Sequence, residues 1–224
     1  MARIKVGSRR IYVEEYGKGN ARAIVFFHGG PGAGCEGFVN QATALGEKFH
    51  VVLFDQYGAL RSGAIPAKEP FGMMDHVRLI DGMREALGIG SWAVLGHSYG
   101  GMLACLYAYT CPERTDAVIY ECTAWDVDNK QRAHVNARRK TAVHCRKIRE
   151  EGLIYQSFRP YLNEIDLPSL LLTAKHDSVC GEDARGYFLR NAPKGSTYEF
   201  QDSGHFPHLE EPEAFTKAVT NFLA

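Results

Sequence analysis

The sequence predicts an α/β fold, a mostly parallel sheet with helices on both faces, and three observations predict it. Short unbroken apolar runs at 23–27, 51–54 and 92–95 each stop at a glycine-rich or polar turn, as strands buried on both faces do. Stretches with apolar residues at three- and four-residue spacing lie between them. The two kinds of segment alternate along the chain, the order that parallel strands joined by crossover helices require.

The elements follow in order. Two extended runs, 3–6 and 10–15, flank Gly7-Ser8, which reads as a hairpin turn, so the chain opens with antiparallel strands. Residues 23–27, Ala-Ile-Val-Phe-Phe, run into His28-Gly29-Gly30-Pro31-Gly32 and predict a central strand ended by a flexible loop. After a helical stretch near 38–49, a second buried strand at 51–54 leads into Asp55-Gln56-Tyr57-Gly58. Val77, Ile80, Met83 and Leu87 share one face of a helix predicted over 73–87. A third strand at 92–95 meets Gly96-His97-Ser98-Tyr99-Gly100-Gly101 and then a helix over 102–109. Runs at 117–120 and 170–173 supply two more strands, 198–200 a last one, and 212–223 a closing helix.

Between 126 and 164 the pattern changes. No strand is predicted there, and Lys130, Arg132, Arg138, Arg139, Lys140, Arg146, Lys147, Arg149 and Arg159 outnumber the acids. A segment of about 40 residues is too short to fold alone, so it is expected to lie as a helical lid on one domain built from 1–125 and 165–224.

Bulk properties narrow the function classes. With 45% hydrophobic and 23% charged residues in 224, the composition is that of an ordinary globule, and no apolar run approaches the ~20 residues of a membrane span. The first residues lack the apolar core of a secretory signal, so a cytoplasmic location is expected. A formal charge of zero offers no global field for nucleic acid or anionic membrane. The six cysteines show no Cys-x-x-Cys pair and no zinc-ligand spacing, so they are expected to be reduced, mostly buried thiols, with no metal and no cofactor. Cys35 and Cys180 lie closest in sequence to the segments that carry chemistry. The expected partner is a small molecule or short peptide; nothing in the sequence speaks to oligomeric state.

Gly96-His97-Ser98-Tyr99-Gly100 fits a nucleophile elbow, in which a serine sits on a strained strand-to-helix turn and the flanking glycines remove side chains that would clash. A serine hydroxyl is a weak nucleophile until a base takes its proton. Of nine histidines, His205 in Ser203-Gly204-His205-Phe206-Pro207 is best placed, in a loop directly after the last predicted strand. His208 is its rival and otherwise a packed or capping residue; His97 reads as a supporting core histidine. The base needs a carboxylate to fix its tautomer. Asp177 follows the strand at 170–173, and Ser, Asp, His is the chain order this arrangement uses; Asp202 is the alternative. An oxyanion needs two donors, for which the amides of Tyr99 and Gly30 are the choices, with Gly29 in reserve. The glycine loop lacks both Gly-x-Gly-x-x-Gly and a Gly-Lys-Ser/Thr ending, which argues against a phosphate cradle. Gly29, Tyr57 and Trp125 are candidate substrate contacts.

His28-Gly29-Gly30-Pro31-Gly32, Asp55-Gln56-Tyr57-Gly58 with Arg61-Ser62, the serine elbow, Asp177, and Ser203-Gly204-His205 followed by Leu209-Glu210-Glu211-Pro212 together resemble the proline iminopeptidase-like branch of the α/β-hydrolase superfamily. The resemblance covers nearly the whole chain outside the lid. It implies the α/β-hydrolase fold with an eight-stranded sheet, a triad of Ser98, Asp177 and His205, an oxyanion hole from Gly30 and Tyr99, and no cofactor. Tyr57 and Leu60 stand where that branch usually has Arg and Gly, and the lid is shorter than the family's helical cap. The family holds a substrate ammonium with acidic cap residues, whereas this segment is basic. If its charges face the cleft they favour an anion; a run of Arg and Lys on a short helix is more often a solvated face. The expected activity is hydrolysis of a small ester or amide through an acyl-enzyme on Ser98. Release of an N-terminal proline is the second reading, and ligand binding without turnover the third.

Overall fold

The computed structural model describes residues 2–126 and 139–224. Eight strands form one sheet in the order β1-β2-β4-β3-β5-β6-β7-β8. They are β1 (Ala2–Val6), β2 (Arg9–Tyr16), β3 (Ala23–Phe27), β4 (His50–Asp55), β5 (Trp92–His97), β6 (Thr115–Glu121), β7 (Ser169–Ala174) and β8 (Gly195–Phe200). β1 and β2 pair antiparallel, as does β2 with β4; every other pairing is parallel. The first hairpin is therefore an antiparallel border on a six-stranded parallel sheet. Every residue of β3, β4, β5 and β7 is buried, which explains their unbroken apolar runs: helices cover both faces, so no position points to water.

The predicted helices appear as α1 (Val39–Leu45), α2 (Met73–Ala86), α3 (Tyr99–Thr110) and the closing α8 (Pro212–Leu223). α3 begins at Tyr99, three residues earlier than its periodicity suggests, because the elbow leads straight into its first turn. Two further elements, α6 (Glu182–Asn191) and the one-turn α7 (Pro207–Glu210), carry no clear periodic signal. Between β6 and β7 the described chain forms α4 (Arg139–Glu151) and α5 (Arg159–Glu164). Lys130, Arg132 and Arg138 of the expected lid lie outside the described residues. No helix among the described residues is long and apolar enough to cross a membrane.

One polar knot holds the border strands to the parallel core. The Asp55 carboxylate, fully buried at the end of β4, accepts the amides of Cys35 and Arg61 at 3.0 Å each and the Arg61 guanidinium at 2.7 and 2.9 Å. Arg61 lies 4.0 Å over the Tyr12 ring and reaches Glu14 of β2 at 3.2 Å. Burial alone would raise the Asp55 carboxyl, but the Arg61 guanidinium and the two amides outweigh it and hold it at about 2. A carboxyl depressed in the folded state contributes stability above its unfolded value, and that contribution is lost as pH falls through the folded one. Between about pH 4 and pH 2 this term, roughly 2 kcal/mol, should therefore disappear. Urea unfolding at pH 7 and pH 3 is expected to show a smaller loss of stability in Asp55→Asn than in the parent, from a lower starting value.

Candidate active site

β5, β6, β7 and β8 run the same way, so their carboxyl ends and the loops after them share one edge of the sheet. Ser98 follows β5 at φ 54° and ψ −119°, the left-handed region that a residue with a Cβ enters only under constraint. The constraint is steric. A Cβ on Gly96 would meet Gly100 O at 2.1 Å, one on Gly100 would meet Phe27 O at 1.9 Å, and one on Gly101 would meet Thr123 Oγ1 at 1.8 Å. α3 thus meets the end of β5 and β3 backbone to backbone and meets Thr123 at its side chain, and the amide of Ser98 is fixed by Glu121 O at 2.8 Å.

His205 Nε2 lies 3.0 Å from Ser98 Oγ, and His205 Nδ1 lies 2.9 Å from Asp177 Oδ1. Asp177 is placed by the loop after β7, where its carboxylate also accepts the amides of Val179 at 2.8 Å and Cys180 at 3.2 Å. Its side chain is fully buried while that of His205 is 22% exposed, so the pair opens to solvent only on the imidazole side. Burial would raise the Asp177 carboxyl, but its bonds to His205 and to the Val179 amide hold it below the ordinary value. An ionised Asp177 accepts the Nδ1 proton and leaves Nε2 to accept from Ser98.

The loop carrying His205 is pinned by the acidic junction between α7 and α8. Glu210 accepts the amides of Gly204 at 2.7 Å and Phe206 at 3.1 Å, and Glu211 accepts the Ser203 hydroxyl at 2.5 Å and the Asp202 amide at 3.1 Å. Asp202 itself is exposed and turned to solvent, so it does not replace Asp177. His208 is buried against Glu121, and His97 donates from Nε2 to the carbonyl of His205 at 2.8 Å. Both rival histidines are therefore supports of this loop.

Gly30 is exposed beside the site at φ +119°, before a cis bond to Pro31. The Tyr99 amide is in the first turn of α3, where an N–H has no intrahelical acceptor. Gly29 must be glycine because a Cβ there would lie 2.8 Å from His97 Nδ1. Two expected substrate contacts are buried in this structure. Trp125 is 1% exposed, stacks on Phe188, and gives its indole N–H to Ala184 O at 2.9 Å. Tyr57 is buried under Arg9 and against Phe71. Large aromatic surfaces at strand ends are drawn into the core by apolar burial, which a loop position in the sequence does not reveal.

Among the described residues, two groups bring donor atoms within 4.8 Å of one another, as a metal ion would need: His97 with Glu121 and His208, and Cys122 with Asp177 and His205. In each the shortest contact is a direct hydrogen bond, 2.7 Å between His208 and Glu121 and 2.9 Å between His205 and Asp177. Sequence reasoning missed Glu121. The available signal was a lone acid closing the apolar run 117–120 at the carboxyl edge.

The family profile described as alpha/beta hydrolase fold matches residues 22–143, more than half of the chain. This chain belongs to the α/β-hydrolase fold family. A proline iminopeptidase of Neisseria gonorrhoeae is 33% identical over 200 residues, covering 83% of this chain and 61% of that protein. A proline iminopeptidase of Heyndrickxia coagulans is 24% identical over 282 residues, covering 98% and 97%. Among solved structures, the enol-lactonase from Burkholderia xenovorans LB400 superposes with a TM-score of 0.84 at 19% identity, covering 99% of each chain. The chain thus spans about three-fifths of the length of the gonococcal relative, and this α/β hydrolase resembles the proline iminopeptidase branch.

The elbow's dependence on missing side chains is testable. In Gly100→Ala the new methyl must push the Phe27 carbonyl of β3 away from α3. Thermal unfolding is expected to show a loss of about 3 kcal/mol or more, or no soluble protein at all.

Proposed function

We propose that this α/β hydrolase cleaves a small ester or amide through an acyl-enzyme on Ser98. The observation that carries the proposal is the unbroken relay from Ser98 Oγ through both nitrogens of His205 to buried Asp177. In the first step the Ser98 proton passes to His205 Nε2 as Oγ bonds to the substrate carbonyl carbon, and the resulting imidazolium faces Asp177. The negative charge that develops on the substrate oxygen is received by the amides of Tyr99 and Gly30. Collapse breaks the bond to the leaving group, which takes the proton from Nε2. Water then gives a proton to His205, attacks the acyl carbon, and Ser98 departs with the proton returned. Each transfer uses groups of the chain itself.

The basic segment takes a structural part in this reading. Among its described cations, Lys147 donates to the carbonyls of Ala67 and Glu69, Arg159 pairs with Asp126 at 2.6 Å, and Arg146 faces Glu150 at 3.6 Å. These three cations are engaged with the protein, while the charge of Arg149 acts on the Cys145 thiol that lies against Pro31. α4 covers the glycine loop as a lid: Cys145 Sγ lies 3.1 Å from Pro31 O, and Thr141 occupies the space that a Cβ on Gly32 would need.

Release of N-terminal proline is the second reading, favoured by the 33% identity to the gonococcal proline iminopeptidase. Rates on prolyl-naphthylamide beside p-nitrophenyl acetate and butyrate separate the two, and preference for the prolyl amide reverses their order. Ser98→Ala is expected to lower turnover roughly 10⁴-fold or more with an unchanged melting temperature. A fluorophosphonate should label Ser98 alone; failure of both labelling and turnover would instead mark a binding protein.

A further inference from the structure

Glu121 ends β6 at the same edge as the relay, with its side chain fully buried. In the parallel register it stands directly beside His97 of β5. Its backbone carbonyl receives the Ser98 amide at 2.8 Å. Its Oε1 receives both the amide and the Nδ1–H of His208, at 3.0 and 2.7 Å, and His208 lies three residues beyond His205 in chain order. His97 fills the space between, its ring centroid 4.9 Å from that of His205 and 5.1 Å from that of His208, while its Nε2–H holds the His205 carbonyl.

Such a carboxylate is hard to explain by stability. Glu121 Oε2 has no hydrogen-bond partner among the described residues. Burial pushes the carboxyl up, and the neighbouring His208 and His97 pull it back below its ordinary value, so it is buried as an anion. Buried ion pairs are commonly no better for stability than apolar residues of the same volume, and here one oxygen lacks even a donor. Its placement offers another reason. A single residue touches the nucleophile turn with its backbone and the loop of the base with its side chain.

We propose that Glu121 is a positioning residue that ties the Ser98 turn to the His205 loop, setting the distance across which the proton moves. The inference rests on the serine-hydrolase reading above. Misplacement of a reacting group by about 1 Å can cost roughly 100-fold in rate without weakening substrate binding.

The test compares Glu121→Ala with Glu121→Gln, whose amide oxygen still accepts both N–H groups of His208. Two readouts are followed: kcat and KM on a p-nitrophenyl ester, and the downfield proton resonance of the His205–Asp177 bond. Glu121→Ala is expected to lose about 100-fold in kcat with KM within about twofold, and to broaden or lose that resonance. Glu121→Gln should recover at least about tenfold of the loss, with the resonance restored. Parent-like kcat and resonance in Glu121→Ala, or Glu121→Gln as impaired as Glu121→Ala, overturns the proposal. Should Glu121→Ala fail to fold by circular dichroism, His208→Phe keeps the ring stacked on Phe38 at 4.1 Å and removes the Nδ1 donor. It is expected to lose about tenfold in kcat at unchanged KM, and a parent-like kcat overturns the idea. If the parent turns over no ester or prolyl amide, the serine-hydrolase reading fails by itself, and the resonance still decides the role of Glu121.

Discussion

Keeping a residue with a Cβ at φ 54° costs on the order of 1–3 kcal/mol, so Ser98 stays there only because its surroundings leave the chain no other path. α3 packs so closely on the end of β5, on Phe27 of β3 and on Thr123 after β6 that three glycines have no room for a methyl group. Rigid packing converts that strain into aim: the hydroxyl stands clear of the sheet edge, where a side chain from a distant loop can meet it. Were the turn relaxed, Ser98 would fall back into the helix start and the loops of β7 and β8 would have nothing to converge on. The burial of β3, β4, β5 and β7 thus fixes the shape of the turn as well as the core.

The other half of the geometry is a loop, and loops are ordinarily the mobile part of a fold. Here the segment 202–206 is tied by side chains at both ends of every short span. Glu210 and Glu211 take its amides from one side, and His97 holds the His205 carbonyl from the other. Asp177 is itself fixed by two amides of its own turn, so the imidazole meets an acceptor that does not wander. The placing of His205 and Asp177 comes from hydrogen bonds one residue removed from them.

How much of this was legible in the sequence follows from which constraints are local. That Ser98, Asp177 and His205 meet was readable because each lies just past an apolar run, and runs of parallel strands must end at one edge. The strands were readable because burial on both faces leaves no polar position. The burial of Trp125 and Tyr57 was not readable, because position after a strand says nothing about which way a ring turns, and apolar area decides that. Glu121 escaped notice since its partners, His97 and His208, are 24 and 87 residues away, and only the pairing of β5 with β6 and the fold of α7 bring them together. α6 was missed because Gly186 and a half-buried, mixed face weaken its period.

The same reasoning bears on the segment that most distinguishes this chain from the branch it resembles. Its many cations suggest, on the page of sequence, a field directed at substrate. Folded, α4 reaches the core through neutral and short-range contacts: Thr141 against Gly32, Cys145 against Pro31, and His144 Nδ1–H donating to Tyr57 O at 2.8 Å. Burial pushes His144 down to about 4, so at neutral pH it enters the interface uncharged and no ion has to be desolvated to dock it. Lys147 does carry its charge inward, where its ammonium donates to the carbonyls of Ala67 and Glu69. Charge in a sequence predicts an electrostatic role only when the fold leaves it free to act, and in Lys147 the geometry turns it into attachment.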